Sequence, residues 1–176
     1  MVAHLSARLP LPGVGGDVVS TSFTILVGTM TGTAELVAEE IKDALEPKGH
    51  GIDVRAMDGL DAQVFEPGRT YLICTSTYGQ GDVPDNAMRL YDDLKERRPD
   101  LSGVHYGVLA LGDHTYAQTF CHGGQRFDEL LNELNAERIG AMMKHDASAG
   151  TVPEEAGLAW AEAWVEALAA RLSEAA

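Results

Sequence analysis

The chain is poor in the residues that would tie it to several common functions. Its 176 residues include only two cysteines, Cys74 and Cys121. No CxxC pair is present, which removes the spacing of zinc sites and of thioredoxin-type redox centres. A disulfide framework is not indicated either, as expected for a reducing, cytoplasmic setting. Cys74 sits in the apolar run Tyr71-Leu72-Ile73-Cys74 and is expected to be a buried core thiol. Basic residues are also scarce: 13 Lys+Arg stand against 27 Asp+Glu, a formal net charge of −14. Nucleic-acid binding draws on a Lys/Arg surface, so this balance argues against nucleic acid and against anionic membrane surfaces. It favours soluble partners with a basic docking face, or serves solubility alone. No apolar run is long enough to span a bilayer. The N-terminus lacks a compact basic start followed by an apolar core, so a signal peptide is not expected.

Hydrophobic residues make up 45% of the chain, enough for one core in one domain. Residues 1–20 hold Pro10, Pro12, Gly13, Gly15 and Gly16, punctuation that defeats regular structure. They read as a flexible arm before a domain over 21–176. Strands are expected at Phe23–Val27, Gly51–Met57, Thr70–Ser76, Val104–Leu111 and Arg138–Lys144. Helices are expected over about 34–45, 85–98, 124–137 and 153–172, with an irregular stretch at 58–69 where one more would complete the series. Thr151-Val152-Pro153-Glu154 has capping-box spacing before the last helix. Trp160 and Trp164 share a face of that helix and are assigned to the core. Strands alternating with helices predict an α/β fold. It is a three-layer, doubly wound, five-stranded parallel sheet of order 2-1-3-4-5, with ligands at the carboxyl ends of the strands.

Three loops fall at those ends. Gly28-Thr29-Met30-Thr31-Gly32-Thr33-Ala34-Glu35 brings hydroxyls and free N–H groups to a helix start, where they can wrap a phosphate. It lacks the Lys of a nucleoside-triphosphatase loop, and GxGxxG is absent. The bland alternative is a Thr-rich capping turn. Ser76-Thr77-Tyr78-Gly79-Gln80-Gly81-Asp82 sets an aromatic among hydroxyls and glycines, suited to close approach of a flat ligand or to a plain turn. Leu111-Gly112-Asp113-His114-Thr115-Tyr116 supplies a second tyrosine, and two aromatics from adjacent strand ends can bracket one ring system. His114 and His122 read as solvent-facing loop residues or as groups that titrate beside the ligand, and Met142 and Met143 as core filler rather than a sulfur ligand pair.

With these motifs, and with Phe120-Cys121, His145-Asp146 and Val152-Pro153-Glu154-Glu155, the chain resembles the flavodoxins from about Phe23 onward. It is similar above all to the short MioC-like flavodoxins and to the FMN domains of diflavin reductases. The resemblance implies FMN as cofactor. It implies that Thr29, Met30, Thr31, Gly32 and Thr33 hold the phosphate, and that Ser76, Thr77, Tyr78, Gly79 and Gly81 line the flavin, with Tyr78 on one face. Leu111, Gly112 and Asp113 would meet its edge through the backbone. Tyr116 would take the other face, Phe120 and Cys121 would close the site, and Asp146 would lie near the ribityl chain. Gly79 would be the hinge of a peptide that reorients with the redox state. Met30 departs from the family's polar residue, and the third loop carries Thr119 as an extra residue relative to diflavin-reductase FMN domains.

The implied function is an electron carrier between an NAD(P)H-dependent flavodoxin reductase and an acceptor redox enzyme. A phosphate without a cationic neighbour in so acidic a protein predicts a strongly reducing low-potential couple. An FMN-dependent quinone or nitro reductase is the competing reading. A response-regulator-like module would need a phosphoacceptor Asp where Ser76-Thr77-Tyr78 stands, and a module without FMN would be colourless.

Overall fold

The computed structural model describes residues 20–174. The arm expected over 1–20 lies outside them except for Ser20, whose hydroxyl donates to the Gly49 carbonyl. Six strands and four helices follow in the order β1 (Ser22–Gly28), α1 (Thr33–Leu45), β2 (Gly51–Ala56), β3 (Thr70–Thr75), α2 (Asp85–Arg97), β4 (His105–Gly112), α3 (His122–Glu133), β5 (Glu137–Arg138), β6 (Met143–Asp146) and α4 (Pro153–Glu174). The sheet runs β2-β1-β3-β4-β5, with β6 also on β4, and every pairing between these strands is parallel.

Continuous apolar runs form the central strands because both sheet faces are covered. In β1 the side chains alternate: Phe23, Ile25 and Val27 join the cluster containing Val37 and Ile41 of α1 and Trp164 and Leu168 of α4. Leu26 points the other way, into the cluster holding Leu90 and Leu94 of α2 and Phe127 and Leu131 of α3. In β3, Leu72 and Cys74 share the first side, and Tyr71 and Ile73 the second. Each large aliphatic side chain so buried contributes about 1.5–3 kcal/mol. Cys74 is a core thiol, as its apolar neighbours predict, and burial pushes it up to about 12.

The structure departs from the sequence expectations in a few places, each with an identifiable cause. The single fifth strand expected over 138–144 is two pieces, β5 and β6, both paired to β4. Between them Gly140 takes a φ of 68°, and Trp164 Nε1 donates to the Ile139 carbonyl at 3.1 Å, so an indole from α4 fills the gap. Helix α3 ends at Glu133 rather than 137, since Asn135 turns left-handed at φ 74°. Residues 58–69 are irregular, as expected, and hold no α-helix. Instead a short turn at Ala62–Val64 is pinned by Asp93 Oδ2, which accepts from Ala62 N at 2.8 Å. Trp164 is core, while Trp160 stacks on it at 5.9 Å and is only partly buried. Among the described residues, no helix is long and apolar enough to cross a membrane.

Candidate functional site

The carboxyl ends of β1, β3 and β4 open into a cavity of about 620 Å³, within the range of small-ligand sites. The first loop supplies Thr31 and Thr33 to its wall. Gly32 precedes α1 in a left-handed conformation, φ 93°, and no side chain caps the helix. The first-turn N–H groups therefore stay open to a ligand, and a helix start favours an anion by about 0.3–1 kcal/mol. Thr29 turns inward on its own loop: its Oγ1 accepts from Gly32 N at 2.9 Å. Asn86 of α2 holds that loop in place. Its Oδ1 accepts from Thr29 N at 2.8 Å, and its Nδ2 donates to the Val27 carbonyl and to Asp58. Met30 does not line the cavity. Its sulfur accepts from Asp85 N at 3.3 Å, capping α2 in place of a polar side chain.

The second loop contributes Ser76, Thr77 and Gly79. Thr77 Oγ1 donates to the Leu111 carbonyl at 3.1 Å and accepts from Gly123 N at 3.0 Å, so it ties the second loop to β4 and to α3. Tyr78 and Asp82 exchange backbone hydrogen bonds of 2.9 and 2.8 Å around a tight turn. Gly79 sits in that turn at φ 54°, a conformation glycine adopts without strain. Tyr78 is 49% exposed and stands outside the cavity lining. Gly81 also lies outside it, packed near His122.

The third loop contributes Leu111, Gly112, Asp113, Tyr116 and the additional Thr119. Asp113 accepts from Thr115 N at 2.8 Å and so starts the turn that carries Tyr116, 68% exposed. Phe120 packs edge-on against His114 at 4.8 Å and is not part of the lining. Cys121 is buried, with Sγ near the carbonyls of Ala110 and His145, and burial pushes its thiol up to about 11. Asp146 is outside the lining as well. Its carboxylate accepts from His114 N and from Ser148 N and Oγ, which hold it below the usual carboxylate range. It is a clamp between the third loop and the turn after β6.

Sequence reasoning gave no site role to the wall nearest α4, formed by His145, Ala147, Thr151 and Pro153, although His145 and Pro153 lie in the stretches that carry the resemblance. His145 Nε2 lies 3.0 Å from Thr151 Oγ1, so Thr151 spends its hydroxyl here and makes no capping bond to α4 among the described residues. No spacing rule flags a histidine and a threonine six positions apart across a turn. No Lys or Arg is among the lining residues.

A family model described as Flavodoxin matches residues 25–160. The chain belongs to the flavodoxin family. Members of that family are FMN-binding electron carriers, and FMN is the cofactor here. Flavodoxin YqcA of Pectobacterium carotovorum subsp. carotovorum is 41% identical over 142 residues, covering 81% of this chain and 93% of that protein. Protein MioC of Escherichia coli (strain K12) is 31% identical over 145 residues, covering 82% and 97%. A solved mutant of flavodoxin from Pseudomonas aeruginosa superposes with a TM-score of 0.71 at 32% identity, covering 85% of this chain and 99% of that one. The donor set suits FMN: neutral hydroxyls and open N–H groups at a helix start for a phosphate, and Leu111, Pro153 and Tyr116 in the wall for a ring system.

Proposed function

We propose that this flavodoxin-family protein carries electrons from an NAD(P)H-dependent reductase to an acceptor redox enzyme, both docking through basic faces. When bound, FMN supplies the electron storage. The polypeptide binds, orients and biases it. Thr31, Thr33 and the α1 start would hold the phosphate, with Thr29 and Gly32 shaping the loop. Tyr116 and Tyr78 are the aromatic side chains that would lie against the ring. Ser76, Thr77 and the Leu111–Asp113 segment would line its edge, and Gly79 would let the adjacent peptide turn. Phe120, Cys121 and Asp146 would act behind the site, holding its loops. The lack of a cationic side chain in the lining makes added negative charge costly there, which favours a strongly reducing low-potential couple.

The observation that carries this reading is the exposure of Tyr116, which lines the cavity and is 68% exposed, with Tyr78 of the neighbouring loop 49% exposed. A flavin held beside exposed aromatic side chains would suit transfer to another protein better than to an enclosed small substrate. Two free, buried thiols accord with a cytoplasmic place.

The purified protein should be yellow and release FMN on denaturation. With NADPH alone it should reduce no quinone, and should do so with a flavodoxin reductase and an acceptor present. Rapid quinone reduction from NAD(P)H without a reductase would instead make it a quinone or nitro reductase. A colourless protein that takes up no FMN would overturn the proposal.

A further inference from the structure

The cavity wall between β6 and α4 holds a buried ionisable group, His145, to which the resemblance assigns no role in the site. His145 lies beside Leu111 in the β4–β6 register and is 6% exposed. Its Nε2 is engaged by Thr151 Oγ1 at 3.0 Å. Its Nδ1 has no protein partner among the described residues, and no fully enclosed side-chain nitrogen there is left unpaired. The open side of this ring is therefore the cavity that it lines.

We propose that His145 is a ligand-contacting residue of this cavity. Thr151 fixes its ring through Nε2, Nδ1 is presented to the bound flavin nucleotide, and protonation of the ring strengthens binding of that anion. The inference rests on reading the cavity as the FMN site. Histidine is the side chain that ordinarily changes charge between pH 5 and 8. Its titratable neighbours are Lys144 and Asp146 beside it in β6, His114, whose N–H donates to Asp146, and Asp113 and Tyr116 in the same cavity lining, with Glu154 and Glu155 following the lining residue Pro153 in α4. Behind it, the buried Cys121 thiol is neutral across this range. With no Lys or Arg in the lining, an imidazolium is the cation the cavity wall can offer an anion.

FMN affinity should be measured by quenching of flavin fluorescence from pH 8 to 5.5, for the unaltered protein and for His145→Gln. The FMN phosphate titrates in the same window, with a second pKa near 6 as for other phosphate monoesters, so the ratio of the two affinities is the quantity read. That ratio should grow about five- to tenfold toward pH 5.5, at the lower end of coupling between linked sites. By reciprocity, FMN should raise the midpoint of the His145 ring titration followed by NMR in the unaltered protein, a measurement that needs no variant. A ratio constant with pH, or an unmoved NMR midpoint, overturns the role of His145 while FMN binding stands. Failure of the unaltered protein to bind FMN at any pH overturns both this inference and the reading of the site.

Discussion

At the residue scale, several positions tolerate only what they hold. Gly107 lies in β4 under α4, where an added Cβ would meet Trp164 Nε1 at 2.4 Å. The indole is fixed by its bond to Ile139 and cannot step aside. Gly107→Ala should therefore lower stability by about 1–3 kcal/mol, read as a lower urea midpoint at an unchanged slope. Asn86 is the second such position. Its amide serves Thr29 N and the Val27 carbonyl at once, so it braces the first loop from α2. Asn86→Ala leaves those groups unpaired at a cost of about 1–3 kcal/mol. Because this loop is the proposed phosphate cradle, FMN should also dissociate more readily, by about tenfold for each 1.4 kcal/mol lost from the bound state. Unchanged FMN affinity in that variant would mean that the loop is held by other contacts.

At the scale of elements, the missing helix between β2 and β3 is replaced by contacts to its neighbours. Asp93 of α2 accepts from Ala62 N through one oxygen and from Arg97 Nε at 2.8 Å through the other. This side chain anchors a segment too short and too irregular to pack by itself. Asp93→Ala should cost about 1.5–3 kcal/mol, the usual worth of hydrogen bonds to a charged group. Amide exchange should quicken first in residues 58–66, before the sheet is affected. Division of the fifth strand follows the same logic. The pieces β5 and β6 keep their ladders with β4, and the break between them gives the Trp164 indole its carbonyl partner. By pairing β6 with the carboxyl end of β4, the chain brings His145 to the cavity wall.

At the scale of the whole molecule, two charge effects are expected. The first is a stability that depends on His50. Burial, and then nearby Lys48, hold its imidazole below the ordinary histidine range, while its Nδ1 pairs with Thr21 Oγ1 at 2.8 Å. The folded state thus takes up this proton less readily than the unfolded one. The stability it contributes is full above about pH 6.5 and is lost as pH falls below that value. The urea midpoint should drop between pH 7 and 5.5, and His50→Gln should remove part of that drop. The second effect is long-range. At a net charge of −14, electron transfer to a partner with a basic face should slow as salt rises and the screening length shrinks from about 10 Å at 0.1 M to about 3 Å at 1 M. Rates independent of salt would remove basic docking faces from the proposal.

Local chemistry alone determined much of this protein. Periodicity and turn residues placed the central strands, all four helices and their order, because apolar runs buried on two faces leave a pattern that neighbours in the chain share. Three loops at strand ends were legible for the same reason: their hydroxyls, glycines and tyrosines are contiguous. The tertiary structure alone decided what depends on residues far apart. It turned Met30 toward Asp85, Cys121 into the core and Asp146 onto His114 N, and it split the fifth strand around an indole from α4. It also brought His145 and Thr151 into the cavity wall. A side chain's direction follows from which distant backbone group needs a partner, and that is settled only when the sheet and helices close on one another.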